Sequence, residues 1–248
     1  MKAMILAAGL GTRLRPLTDN RPKALVEVAG RTLLEITLSR LSSFDIRDVI
    51  INVHHFPDMI LDYLKAHDNF GLHIAISREE QLLDTGGGLK KASWFFLQDP
   101  SHSEEPFILH NVDVISTIDL RRMLEFHNEK QALATLAVQH RESSRQLLFD
   151  ADLHLCGRRR DPDQEPEIAR PSATLQPLAF SGIHIISPRL LSLMPQDDVF
   201  SIIDTYLRLS ARGESILAFS ADDAYRRDLG TPADLAQAAT DYQQGLLS

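Results

Sequence analysis

The stretch 2–18 limits what this chain can fold into more than any other. Residues 3–8 form an unbroken apolar run, the right length for a buried strand, and it stops at Gly9-Leu10-Gly11-Thr12-Arg13. Glycines and small residues at a strand end let the backbone approach a ligand closely. Arg13, Arg15 and Lys23 then follow as fixed cations. Free N–H groups beside guanidinium and ammonium groups make a cradle for a polyphosphate. Two common glycine loops are ruled out by spelling. A Walker A loop needs Gly-Lys-Ser/Thr, which follows neither Gly9 nor Gly11. A dinucleotide fingerprint needs a third glycine where Leu14 stands. Taken by itself, the run also fits a tight turn carrying solvated arginines.

Downstream, apolar runs and helical stripes alternate. Thr32 and Glu35 spell a capping box and predict a helix to about Phe44. Strands are predicted over 49–53, 72–76, 107–109 and 132–138. Helices are predicted between them, from Pro57, over 89–97 and over 119–130, with a polar loop over 77–88. Alternating strands and helices predict a parallel sheet covered on both faces. In such sheets ligands bind beyond the carboxyl ends of the strands, where the loops at Gly9, His54, Gly86 and Asp113 all fall. Beyond residue 140 the pattern is less regular. It predicts short strands within 147–155, a charged, proline-rich mobile loop over 158–173 and a strand over 178–186. A helix over 202–209, strands over 215–219 and 225–229, and a last helix from Pro232 to Ala239 follow.

Bulk properties narrow the partners. The 248 residues suit one α/β domain, and a net charge of -8 argues against nucleic acid. No apolar run is long enough to span a bilayer, and no secretory leader is read at Met1-Lys2, so no membrane partner is expected. The single cysteine, Cys156, excludes an intrachain disulfide and reads as a structural thiol in a reducing, cytoplasmic compartment.

The ordered string Ala7-Ala8-Gly9-Leu10-Gly11-Thr12-Arg13-Leu14-Arg15-Pro16-Leu17-Thr18, with Pro22-Lys23-Ala24-Leu25, resembles the signature of the sugar-1-phosphate nucleotidyltransferases (NDP-sugar pyrophosphorylases). The resemblance implies an α/β, Rossmann-like three-layer fold with a mostly parallel mixed central sheet. It implies a single domain over 1–248, with a nucleotide-binding core over 1–140. The sugar-phosphate-binding portion and C-terminal helix would take 141–248, and no hexapeptide period signals an appended β-helix. The implied partners are a nucleoside triphosphate and a sugar 1-phosphate, giving an NDP-sugar and pyrophosphate. Ala7, Ala8, Gly9, Gly11, Thr12 and Arg13 would bind the nucleotide, with Arg13, Lys23 and Asp113 as the catalytic set. Asp84-Thr85-Gly86-Gly87-Gly88 corresponds to the segment against the base, which places Gly86 and Gly87 in the nucleotide site. Its Thr-Gly-Gly-Gly spelling is most like uridylyltransferases acting on N-acetylmuramate 1-phosphate, whereas mannose-1-phosphate guanylyltransferases more often show Thr-Ala-Gly. That leans the reading towards UTP and an amino-sugar or hexose 1-phosphate.

Asn111-Val112-Asp113 and Asp228-Leu229-Gly230-Thr231-Pro232 match segments whose aspartates hold magnesium, so Asp113 and Asp228 are the implied Mg2+ ligands. Val112 replaces a usual glycine, and a β-branched residue disfavours positive φ there. Phe180-Ser181-Gly182-Ile183 matches the segment near the sugar, which places Gly182, with Lys23, in the sugar-phosphate site. The Glu-Lys-Pro of many hexose members is absent. Two alternatives stay open: a cytidylyltransferase acting on another small phosphate such as phosphocholine, and a regulatory subunit that binds nucleotide sugar without turnover. The residues do not decide between a monomer and a homo-oligomer.

Overall fold

The structure, a computed structural model, describes residues 1–99, 104–161 and 163–246. Its strands are β1 (Lys2–Leu6), β2 (Glu27–Val28), β3 (Arg31–Thr32), β4 (Asp48–Val53), β5 (His73–Arg78), β6 (Phe107–Asn111) and β7 (Val114–Ser116). They continue with β8 (Ala134–Gln139), β9 (Gln146–Phe149), β10 (Leu155–Arg159), β11 (Glu167–Ile168), β12 (Gln176–Ile186), β13 (Ile216–Ser220) and β14 (Arg226–Asp228). The helices are α1 (Leu33–Ser43), α2 (Pro57–Ala66), α3 (Asp84–Leu97), α4 (Leu120–Glu129), α5 (Arg189–Ser192), α6 (Ile202–Ala211) and α7 (Pro232–Gln243).

Strands β5, β4, β1 and β6 lie side by side and parallel, so the carboxyl ends that carry the first loop, Asn52 and Asn111 open on one edge. The eleven-residue β12 runs antiparallel to β6 and carries the sheet on through β8 and β9, with β13 parallel to β8. One mixed sheet therefore spans the chain.

Alternation along each strand assigns the two faces. Ala3 and Ile5 of β1, and Val49 and Ile51 of β4, pack with α1, α2, α4 and α7. Met4 and Ile50 point the other way, towards α3 and α6. Strands this apolar must be covered on both sides, which is why three layers form. Among the described residues no helix is long and apolar enough to cross a membrane.

Two expectations change. Helix α3 begins at Asp84, five residues before the predicted start, so Gly86, Gly87 and Gly88 form its first turns rather than a loop. The proline-rich segment is also more ordered than expected. β10 reaches Arg159 and pairs with β11, and Arg158 bonds Glu167 at 2.7 Å and bridges Asp204 at 2.5 Å. Pro162 lies outside the described residues. Helix α1 is capped as predicted at Thr32, whose hydroxyl accepts from the Glu35 amide at 3.0 Å. The Glu35 carboxylate turns instead to Arg31 at 2.8 Å and Tyr63 at 3.2 Å, so only half the box closes. Cys156 is buried, and burial raises its thiol pKa, which suits a structural side chain.

Candidate active site

The first loop leaves β1 under close control. The Ala7 amide donates to Asn52 Oδ1 at 2.7 Å, and the Val112 amide donates to Leu6 at 3.1 Å. Gly11 turns the chain at φ 65°. A Cβ there would stand 2.8 Å from Thr18 Cγ2, and the Thr18 hydroxyl closes the loop onto the Gly11 carbonyl at 2.8 Å. Gly9 differs: a Cβ would meet nothing within 4 Å.

The loop walls two adjoining cavities. One, of about 160 Å³, is lined by Gly9, Gly11, Thr12, Arg13, Lys23 and Asp113, with Ala7 and Gly230 also on its wall. The other, of about 480 Å³, shares Leu6, Gly9 and Asp113 with it and extends past Ala8, Asn52 and Glu79 to Thr85 and Val199. The first is basic and close to bare backbone. The second is roomier and more apolar. A polyphosphate and a nucleoside fit that division.

Lys23 is buried, and its ammonium is paired with Asp113 Oδ2. Asp228 ends β14, and Asp113 lies in the turn just before β7, the strand that β14 pairs with. Asp228 pairs with Val114 across β14 and β7, and the Leu229 amide donates to the Asp113 carbonyl at 2.8 Å. Asp228 Oδ2 accepts from Arg226 Nη2 at 3.3 Å, whereas its Oδ1 is buried with no hydrogen-bond partner. A buried carboxylate oxygen without a partner is costly and asks for a cation. The donor set is all oxygen and partly prepaired, which fits a hard divalent ion.

Gly230 links the late segment to the first loop. Its Cβ position lies 2.6 Å from Arg13 Nη2 and 2.8 Å from Asp228 Oδ1. Only a residue without a side chain lets the guanidinium pass there. Thr231 caps α7 in a complete box with Asp234, and this fixes the exit of Asp228 and Gly230 from β14.

Gly86 and Gly87, expected against the base, pack the start of α3 beneath the segment before α6. Both amides donate to the Phe200 carbonyl, at 2.9 and 3.2 Å, so they are already engaged. A Cβ on Gly86 would strike the Phe200 ring, and one on Gly87 the Asp198 carbonyl. Asp84 and Thr85, rather than these glycines, line the cavity. Gly182 sits at φ 78° in an irregular stretch of β12, where its missing side chain leaves room for Val114 and Asn111. Val112 is absent from the positive-φ residues, so the turn before Asp113 accommodates it without strain.

The sequence reading missed several residues. Asn52 and Glu79 are buried and bonded at 2.7 Å, and Glu79 also accepts from the Leu83 amide at 3.2 Å. A polar residue ending an apolar strand run was the one available signal for Asn52. Arg141 and Arg226 each bury an unpaired Nε. Burial, and then the neighbouring Arg226, push the Arg141 guanidinium below its ordinary pKa, while Asp228 opposes this. The Arg141 Nη2 group donates to the Phe180 carbonyl at 3.0 Å, and Ser181 next to it buries an unpaired hydroxyl. Behind the site, burial holds His110 near pKa 4 and therefore neutral.

The chain is similar to known proteins in sequence and in fold. The sequence model of the nucleotidyl transferase family matches residues 2–147. An N-acetylmuramate alpha-1-phosphate uridylyltransferase of Caulobacter vibrioides is 34% identical over 220 residues, covering 85% of each chain. A mannose-1-phosphate guanyltransferase of Yarrowia lipolytica is 29% identical across 99% of this chain, which spans 65% of that longer protein. In fold, the chain superposes on HddC from Yersinia pseudotuberculosis complexed with GMP-PN with a TM-score of 0.74 at 23% identity, covering 97% and 99% of the two chains. A UDP-glucose pyrophosphorylase complexed with UDP-glucose gives a TM-score of 0.76 at 19% identity, covering 98% of each.

Proposed function

Since the chain belongs to the nucleotidyl transferase family, we propose that it transfers a nucleotidyl group from a nucleoside triphosphate to a sugar 1-phosphate, releasing pyrophosphate. The observation that carries this is the meeting of Gly9, Gly11, Arg13, Lys23 and Asp113 around one small basic cavity beside a nucleoside-sized one. A phosphate oxygen of the acceptor attacks the α-phosphorus, the bond from that phosphorus to the α–β bridging oxygen breaks, and pyrophosphate leaves. The attacking oxygen is already anionic, so no general base is needed. Catalysis then rests on positioning and charge neutralisation.

Within this reading the bare backbone at Gly9 and Gly11 takes the triphosphate, and Arg13 holds the departing pyrophosphate through paired N–H groups. Lys23 neutralises phosphate charge near the reacting centre. Asp113 and Asp228 would hold a divalent cation, magnesium by the chemistry of the oxygen donors. When bound, it would supply positive charge and orientation at the α-phosphate. Arg141 and Arg226 each bury an unpaired N–H near Asp228, and in this reading they would meet the acceptor's phosphate. Residues 1–140 would thus serve the nucleotide and 141–248 mostly the acceptor. The buried free thiol is compatible with a reducing cytoplasm.

The uridylyltransferase relative supports UTP as donor and an amino-sugar 1-phosphate such as N-acetylmuramate 1-phosphate as acceptor. Pyrophosphate release should be measured with UTP, GTP, CTP and dTTP against a panel of sugar 1-phosphates and phosphocholine. UTP with an amino-sugar phosphate is expected to be fastest. Turnover with CTP and phosphocholine alone would replace this reading, and nucleotide-sugar binding without turnover on any pair would make the chain a regulatory subunit.

A further inference from the structure

The segment 196–202 is stitched to the start of α3 by backbone and side-chain bonds along its length. Lys90 Nζ donates to the Gln196 and Asp197 carbonyls at 2.6 and 3.0 Å and to Asp198 Oδ1 at 3.2 Å. The Phe200 carbonyl takes the Gly86 and Gly87 amides, the Phe200 amide donates to Leu83 at 3.2 Å, and the Ile202 amide donates to Thr85 Oγ1 at 3.0 Å. The missing side chains of Gly86 and Gly87 allow this close approach.

Between the pinned residues stands Val199, which is 55% exposed, the highest value among the exposed large hydrophobics of the described residues. It lines the roomier cavity, as does Leu82 at 37% exposure. Val199 stays more than half exposed, yet backbone bonds on both sides hold it at the cavity wall. Holding a stiff, β-branched apolar side chain in water gains nothing until a flat apolar surface covers it.

We propose that Val199 and Leu82 form the apolar wall against which the nucleobase packs, and that Lys90, outside the cavity, is the positioning residue that sets Val199. This rests on the nucleotidyl transfer reading. It adds that the base is held in part from the second half of the chain, and that the Thr-Gly-Gly-Gly motif serves the base by docking this segment rather than by offering its glycine amides.

The test is direct binding, by calorimetry with magnesium, of UTP and of inorganic tripolyphosphate, which has the phosphates but no base. V199A is expected to raise the Kd for UTP about five- to tenfold, the worth of a few apolar carbons leaving contact, and to leave tripolyphosphate unchanged. Lys90→Met should do the same, and Lys90→Arg should restore most of the affinity. The double variant Lys90→Met/V199A should be no worse than about the weaker single variant, because Lys90 acts through Val199. Unfolding curves check that the variants fold. Equal losses for UTP and tripolyphosphate, or no loss for either, overturn the proposal. A wild-type protein that binds tripolyphosphate as tightly as UTP also overturns it, whatever the acceptor proves to be. One that binds neither overturns the nucleotidyl transfer reading with it.

Discussion

Gly9 and Gly11 are two residues apart and lack side chains for opposite reasons. At Gly11 the reason is internal: φ is 65°, and a Cβ would press on Thr18 at 2.8 Å. At Gly9 nothing beyond its own chain neighbours lies within 4 Å of the Cβ position, and the residue lines both cavities. Gly11→Ala should therefore lower stability by about 1–3 kcal/mol. Gly9→Ala should leave the denaturant midpoint alone and weaken triphosphate binding. A destabilised but binding-competent Gly9→Ala protein would overturn this assignment. Gly230 makes a similar case at a distance. Its missing side chain gives Arg13 its place, so Gly230→Ala and Arg13→Lys should both lower kcat/KM by about tenfold or more, with the fold intact. Combining them should add little. Full multiplication of the two losses in steady-state assays would mean that Gly230 acts elsewhere.

At the scale of elements, the long strands β1, β4, β5, β6, β8 and β12 were legible because each apolar residue must face one of two covered layers, whereas the short β2, β3, β7 and β11 were not. The first loop was legible because its spelling is long and ordered. The start of α3 was not. Three glycines in a row read as a loop, since glycine weakens an isolated helix, and only the segment 198–200 lying across them shows why they are helical. Val199 left no trace in the sequence, because its role depends on what Lys90 holds. The antiparallel pairing of β7 with β14 was not legible, because β7 is three residues long and follows β6 after only Val112 and Asp113. Their register brings Asp113 and Asp228 to adjacent backbone positions. If both serve one ion, Asp113→Asn and Asp228→Asn should each remove most activity, by about a hundredfold, and the double variant should fall far short of the product. Their stabilities should differ. Asp113→Asn leaves the buried Lys23 ammonium without its carboxylate and should cost on the order of 2 kcal/mol. Asp228→Asn removes a carboxylate with one unpaired buried oxygen, whose other oxygen meets Arg226 only at 3.3 Å, and should cost less. Independent, multiplicative losses of activity would separate the two residues.

The whole molecule joins its two hydrophobic layers through one sheet, and it buries three histidines as it does so. Burial pushes His110 and His127 down to about 4 and His184 to about 3, from an ordinary value of 6.5. His127 is bonded to Thr135 at 2.9 Å and Ser187 at 3.0 Å, and His184 to Tyr206 at 2.9 Å, so each is satisfied as the neutral ring. At pH 7 the folded and unfolded chains both leave these rings mostly neutral, and the stability is fully present. Below about pH 6.5 the unfolded chain takes up protons that the folded one refuses until about pH 4, so stability falls as acid is added. Each ring contributes a slope of up to about 1.4 kcal/mol per pH unit, and three together approach about 4, a large share of a domain's roughly 5–15 kcal/mol. The urea midpoint should therefore drop steeply between pH 6.5 and 5, before most carboxylates titrate. His127→Gln, which keeps a side-chain donor and acceptor but cannot charge, should flatten that slope by about a third. An unchanged midpoint from pH 7.5 to 5.5, or a His127→Gln slope equal to that of the wild type, would show that these rings are not held neutral by the fold.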